Sequence, residues 1–280
     1  EFLDPNKLSD DGTVALQNTS FSKDGKYMAY VISRSGSDWQ EIYVMDVATG
    51  ELLTDHIEWA KFGGAQWCGN GFYYSAYDAP EKGKEYSSKN EVHKVYYHKI
   101  GTKQSDDVLF YQNPVHPLRF YSVSVNKDET IMFLYESGAG SGMNLYVRDL
   151  RVPNSQFIQM TSNMDLQYSP IETIGDNIYL LTNDGAPRGR VMVADIHKPG
   201  FNDWKELIAE SKSVLEDVQF ADDKLVLTYN QDAATHLYIY STDGKQLNEI
   251  KLPTVGCAYF SSKRGQKECF YGFSSFTVPN

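Results

Sequence analysis

The sequence predicts an all-β fold, a β-propeller of four-stranded antiparallel blades, and three observations carry that prediction. Short apolar-alternating strands pair across polar turns; the paired unit recurs along the chain; and each inner pair is followed by a second, outer pair. The inner pairs read TSFSKDGKYMAYVIS, AQWCGNGFYYSAY, SVSVNKDETIMFLY, IETIGDNIYLLT, VQFADDKLVLTY and AYFSSKRGQKECFYGF. Their turns, at Asp24, Asn70, Asp128, Asp176, Asp222 and Gly265, lie 46, 58, 48, 46 and 43 residues apart. The one long interval holds the hydrophilic stretch APEKGKEYSSKNE, which reads as a surface loop. Four strands in each ~45 residues is the period of a propeller blade, whose faces are buried by stacking on its neighbours.

Taken in order, residues 1–17 form a lead-in, and the blades occupy 18–54, 57–111, 119–161, 165–209 and 214–253, with a half blade at 256–280. The outer pairs are EIYVMDVATGELL, KVYYHKIGTKQSDDVLF, NLYVRDLRVPNSQFIQM, RVMVADIHKPGFNDWKELI and HLYIYSTDGKQLNEI. Only NDWKELIAESKSVLEDV has helical character, and its first part stands where a fourth strand belongs. Five complete units and a half leave open sheet edges, so the chain is expected to be truncated at both ends. The Gly-His and Trp-Asp signature of WD40 repeats is missing.

Composition narrows the function. A formal charge of −11 over 280 residues argues against a nucleic-acid or membrane-surface role. Three cysteines at unrelated spacings make neither a disulfide framework nor a zinc pattern. They read as buried small hydrophobes. No run reaches the length of a membrane span. The compartment is left open between cytoplasm and bacterial periplasm.

Connectivity orients the unit. With strands A to D counted outward, the B–C loops and the D-to-A links fall at one end of the array, opposite the short A–B turns. The B–C loops SRSGSDWQ, DAPEKGKEYSSKNE, ESGAGSGM, NDGAPRGR and NQDAAT are long and varied, which marks that end as the functional face.

No catalytic constellation assembles. There is no Gly-x-Ser-x-Gly elbow, and Ser141 in GAGSGMN lies in a B–C loop. His93 and His98, five apart on one expected strand, face opposite sides and make no metal pair. The acidic neighbours Asp10-Asp11, Asp106-Asp107 and Asp222-Asp223 read as solvated turns.

The stretches FLDPNKLSDDGTVAL, FSKDGKYMAYVISRSGSDWQEIYVMD and VYYHKIGTKQSDDVLF resemble the propeller of the prolyl oligopeptidase family of serine peptidases. The resemblance covers the whole chain, most specifically its first fifty residues. It implies part of a seven-bladed propeller inserted into an α/β-hydrolase domain, with the catalytic serine, aspartate and histidine outside these residues. The chain alone is then catalytically silent and needs no cofactor. Its implied partners are the hydrolase domain of its own polypeptide and short proline-containing peptides, which the propeller admits while excluding folded proteins. The resemblance further implies that Phe62, in AKFGGAQW, and Phe120, in NPVHPLRF, line the substrate pocket for a residue upstream of the cut bond. Both are equally readable as inter-blade core aromatics. The family's arginine and cysteine in the third complete unit's B–C loop are replaced, in YESGAGSG, by the neighbourhood of Ser137 and Gly140, so that guanidinium is lost. A stand-alone scaffold propeller that binds proteins, or the propeller of a dipeptidyl peptidase-like or oligopeptidase B-like enzyme, are the other readings.

Overall fold

The computed structural model describes residues 3–278 as strands joined by turns and loops, with three single-turn 3₁₀ segments. The chain divides into two compact units. The first takes residues up to Gly140 and Leu145–Phe157; the second takes Ser141–Asn144 and the chain from Ile158 onward.

In the first unit, β1 (Val14–Phe21), β2 (Tyr27–Arg34), β3 (Gln40–Asp46) and β4 (Leu52–Ala60) form an antiparallel meander. β1 begins four residues inside the expected lead-in, because Val14 and Leu16 pack on the cluster around Tyr30 and Ile32. The next strands are β5 (Gln66–Cys68), β6 (Gly71–Ala76), β7 (Lys94–Lys99) and β8 (Val108–Gln112). The two expected blades join into one eight-stranded sheet through a single bridge, Ala60 opposite Ala76. The joint arises because the Lys61 amide donates to the Ser75 carbonyl at 3.0 Å and Tyr77 to Trp59 at 3.4 Å. β9 (Phe120–Val125) and β10 (Ile131–Ser137) form the third hairpin, and β11 (Met143–Asp149) straddles the division between units.

The second unit starts with the short β12 (Ile158–Gln159) and contains two complete four-stranded meanders. They are β13 (Tyr168–Ile174) to β16 (Lys205–Ile208) through β14 (Asn177–Thr182) and β15 (Arg190–Asp195), and β17 (Val214–Ala221) to β20 (Gln246–Ile250) through β18 (Lys224–Gln231) and β19 (Ala234–Ser241). A hairpin, β21 (Cys257–Ser261) with β22 (Phe270–Ser274), follows. KELI is a strand, as its position in the unit demands, despite its helix-forming residues.

The second strand of each copy explains the sequence pattern. β2 carries six consecutive buried residues, so both of its faces are covered. Alternation therefore gives way to near-continuous apolar runs such as YMAYVIS and IMFLY, as in any strand covered on both sides. The turns are set by small or polar residues. Asn126 Oδ1 accepts from Thr130 and Ile131 to close the third, and Asp222, at φ 54°, turns the fifth. Gly71 has no side-chain alternative, since a Cβ there would stand 2.1 Å from the His98 carbonyl oxygen.

Two expectations fail here. The fifth B–C connection is not a long loop: β18 and β19 are joined by only Asp232 and Ala233, at φ 51° and 62°. Two successive left-handed residues match the twist of the flanking strands, as in a type I′ hairpin. Nor do Cys257 and Cys269 pack inside; both are exposed, and Cys68 is half-buried.

Candidate functional site

The end of β4 and the D-to-A link that follows it carry an unusual backbone. Trp59 and Phe62 adopt φ 62° and 58° within four residues. Left-handed backbone at a bulky aromatic costs of order 1–3 kcal/mol and persists only when its surroundings hold it. The consequence is that Phe62 turns outward and is 52 % exposed. Phe120, the first residue of β9, meets it edge-on, with ring centroids 4.8 Å apart and planes at 68°. The structure thus brings the two sequence-selected phenylalanines into contact, Phe62 from the link before β5 and Phe120 from the start of β9. With Phe62 exposed and Phe120 half-buried, the pair departs from the fully buried aromatics of the core, for example Phe72 and Tyr121.

Beneath the pair lies His93, fully buried, with its ring 6.2 Å from Phe62, 6.0 Å from Phe120 and 4.7 Å from Tyr77. It precedes β7 rather than lying on it, which corrects the expected strand placement. The preceding residue, Val92, is left-handed at φ 58°, so the strand cannot extend back to it. The Tyr121 amide donates to Nδ1 at 2.9 Å, and Nε2 donates to the Lys61 carbonyl at 3.0 Å. Both contacts are met by one neutral tautomer. Burial, only partly opposed by these hydrogen bonds, pushes the His93 pKa down to about 4. The ring therefore links the backbone just before Phe62 to the backbone just after Phe120.

The Lys61 side chain is itself buried. Its ammonium sits 4.7 Å from the Trp39 ring centroid and 5.4 Å from that of Phe62, and 3.7 Å from Asp38. A cation over an aromatic face is attracted by the ring quadrupole, which steadies Phe62 from one side.

A second buried cluster supports the same sheet. His98 is fully buried between Asp55, 3.0 Å from Nε2, and Asp107, 2.7 Å from Nδ1. Asp55 also accepts from the Gly101 amide at 2.6 Å, and Asp107 from the Tyr74 hydroxyl at 2.7 Å. With carboxylates at both nitrogens the ring is an imidazolium. Burial lowers the His98 pKa, but the hydrogen bonds and charges of Asp107 and Asp55 outweigh it and hold it above the ordinary value. Asp107 is therefore no solvated turn residue, in contrast to the sequence reading; Asp10, Asp11, Asp106, Asp222 and Asp223 are exposed. The metal question is separate: among the described residues no three His, Cys, Asp or Glu side chains converge as a metal cage.

Nothing in the sequence distinguishes His93 or Lys61. Their roles depend on contacts some thirty residues away along the chain. Ser137, at the end of β10, pairs directly with Phe120, placing that B–C loop beside the aromatic pair.

The model of the prolyl oligopeptidase N-terminal beta-propeller domain matches residues 1–280. A prolyl endopeptidase of Elizabethkingia miricola is 37 % identical over 280 residues, covering 99 % of this chain and 39 % of that protein. Among solved structures, one from a structural and mechanistic analysis of two prolyl endopeptidases matches with a TM-score of 0.88 and 29 % identity, over 99 % of this chain and 40 % of that one. Prolyl oligopeptidase B of Galerina marginata, bound to a 35mer hydrolysis and macrocyclization substrate, matches with a TM-score of 0.86 and 28 % identity, over 96 % of this chain and 39 % of that one. The chain thus spans about two fifths of the relatives' length. Matched from its first residue to its last by that model, the chain belongs to the prolyl oligopeptidase family, as its N-terminal β-propeller domain.

Proposed function

We propose that this propeller is the gating, substrate-admitting domain of a serine peptidase that hydrolyses short peptides after proline. In this reading the domain has no catalytic residue of its own. It contacts an α/β-hydrolase domain of the same polypeptide, restricts access to small peptides, and contributes Phe62 and Phe120 as an apolar rim for a residue upstream of the cut bond. The observation that carries the reading is the edge-to-face Phe62–Phe120 pair, in which Phe62 is turned outward on left-handed backbone, at the end of the array that connectivity marks as functional. An exposed aromatic corner of this kind recovers its exposure cost when an apolar side chain covers it. A bulky upstream residue would therefore bind more tightly than glycine at the same position.

The test is steady-state kinetics of the complete peptidase on proline peptides that differ only in that upstream residue. Phe62→Ala should raise KM for the bulky peptide about tenfold, with little change for the glycine peptide, since the contact is made before and during the reaction alike. Equal effects on both peptides would reject the rim role. Circular dichroism of the variant checks that the fold survives.

A further inference from the structure

A separate cavity of about 150 Å³ opens where the β2–β3 loop meets the long loop between β6 and β7. Its walls are Trp39 and Trp59, whose rings stand at 87° with centroids 5.4 Å apart, forming two sides of a box. The long loop is held over it by the Trp39 indole, which donates to the Glu85 carbonyl at 2.8 Å, and it contributes Tyr86, 83 % exposed.

The polar groups in this box are one-sided. Arg34 and Glu41 both line it, but they neutralise each other at 2.5 Å, and Glu41 also accepts from Tyr43 and His56. That leaves Glu58 and Glu85, neither of which forms an ion pair among the described residues. Aromatic faces and carboxylates without an ion-pair partner favour the same chemistry. An anion would be repelled, a purely apolar group would leave the two carboxylates uncompensated, and no metal cage is present among the described residues. Lys61 shows that the Trp39 ring already attracts a cation, from outside this lining.

We infer that this cavity binds an organic cation, a guanidinium or primary ammonium on an alkyl stem. The cation lies against Trp39 and Trp59 and is neutralised by Glu58 and Glu85. The inference goes beyond the peptidase reading and does not depend on it, because every group involved belongs to the propeller. The same chemistry could be offered by a free amine metabolite or by a basic side chain of a peptide.

The experiment titrates the 280-residue chain with agmatine, with the neutral planar analogue N-butylurea, and with acetyl-Gly-Arg-Gly-amide. Calorimetry and tryptophan fluorescence give the readout. Agmatine is expected to bind saturably and butylurea not. Glu58→Gln, an exposed substitution, should weaken agmatine roughly fivefold, as loss of one charge beside a cation–π contact predicts. Glu51→Gln, in the β3–β4 turn, should leave it unchanged. Tighter binding of the peptide than of agmatine assigns the site to a peptide side chain; equal or weaker binding assigns it to a free cation. The inference is overturned if agmatine gives no saturable signal, if butylurea binds as well, or if the two glutamine variants weaken agmatine alike.

Discussion

The buried imidazole beneath the phenylalanine pair makes acid stability a direct readout of the site. His93 is held neutral, with a pKa of about 4 in the fold against 6.5 when free. Between those values the unfolded chain binds a proton that the folded chain refuses, so stability rises with pH across that window. On acidification the contribution begins to fall near 6.5 and is exhausted only below about 4, where both states are protonated. The span corresponds to about 3 kcal/mol, with a slope approaching ~1.4 kcal/mol per pH unit in mid-window. The geometry supplies the cause: a proton added at Nδ1 would face the Tyr121 N–H, a donor against a donor. His93→Gln removes the titration. Its amide can replace part of the pairing, so at neutral pH it should cost about 1–3 kcal/mol. Urea unfolding of both proteins from pH 7 to 4 gives the assay, and the difference between their pH profiles isolates this histidine from the carboxylates and the other histidines. The variant should lose the steep segment, and nitrogen NMR of the parent should show the Nε2–H tautomer persisting well below pH 6. An imidazole titrating near 6.5, or identical pH slopes in the two proteins, would refute the reasoning.

Three more outcomes follow from the same coordinates. His98, paired with Asp55 and Asp107, has the opposite sign: its contribution is complete below its ordinary value and lost as pH rises through its elevated folded value. His98→Gln should therefore destabilise most below the ordinary histidine value, by about 3–5 kcal/mol in urea melts, since it strands two buried carboxylates. Gly71→Ala drives a Cβ to 2.1 Å from the His98 carbonyl oxygen and should leave little folded protein by circular dichroism at 37 °C. Ala233→Gly, at φ 62° in the two-residue turn, should raise the unfolding midpoint by the equivalent of about 1 kcal/mol.

Much of the architecture is legible because it repeats. Strand pairs and turns recur with the period of a blade, and an error at any one copy is corrected by the others. Irregular features escape this redundancy. The Ala60–Ala76 bridge depends on how one strand overshoots, and the Asp232-Ala233 hairpin hides in a polar stretch that lacks glycine. The phenylalanines could be selected only by resemblance, because periodicity assigns them to strand starts without saying whether they face in or out. What turns Phe62 outward is a left-handed backbone, and no side-chain pattern announces that in a residue other than glycine or asparagine. The charged state of His98 and the neutral state of His93 are equally invisible, since each is decided by partners distant in sequence. The same holds for the Trp39–Trp59 box, whose walls come from a loop and a strand twenty residues apart.

The most direct test asks whether a substrate side chain touches the rim. An uncleavable proline peptide with an aromatic ring upstream should be bound to the complete peptidase carrying isotope-labelled phenylalanine. The account predicts nuclear Overhauser contacts from that ring to Phe62 and Phe120, each abolished by the matching alanine variant while the other persists in weakened form. A bound peptide whose upstream ring contacts neither phenylalanine would contradict it.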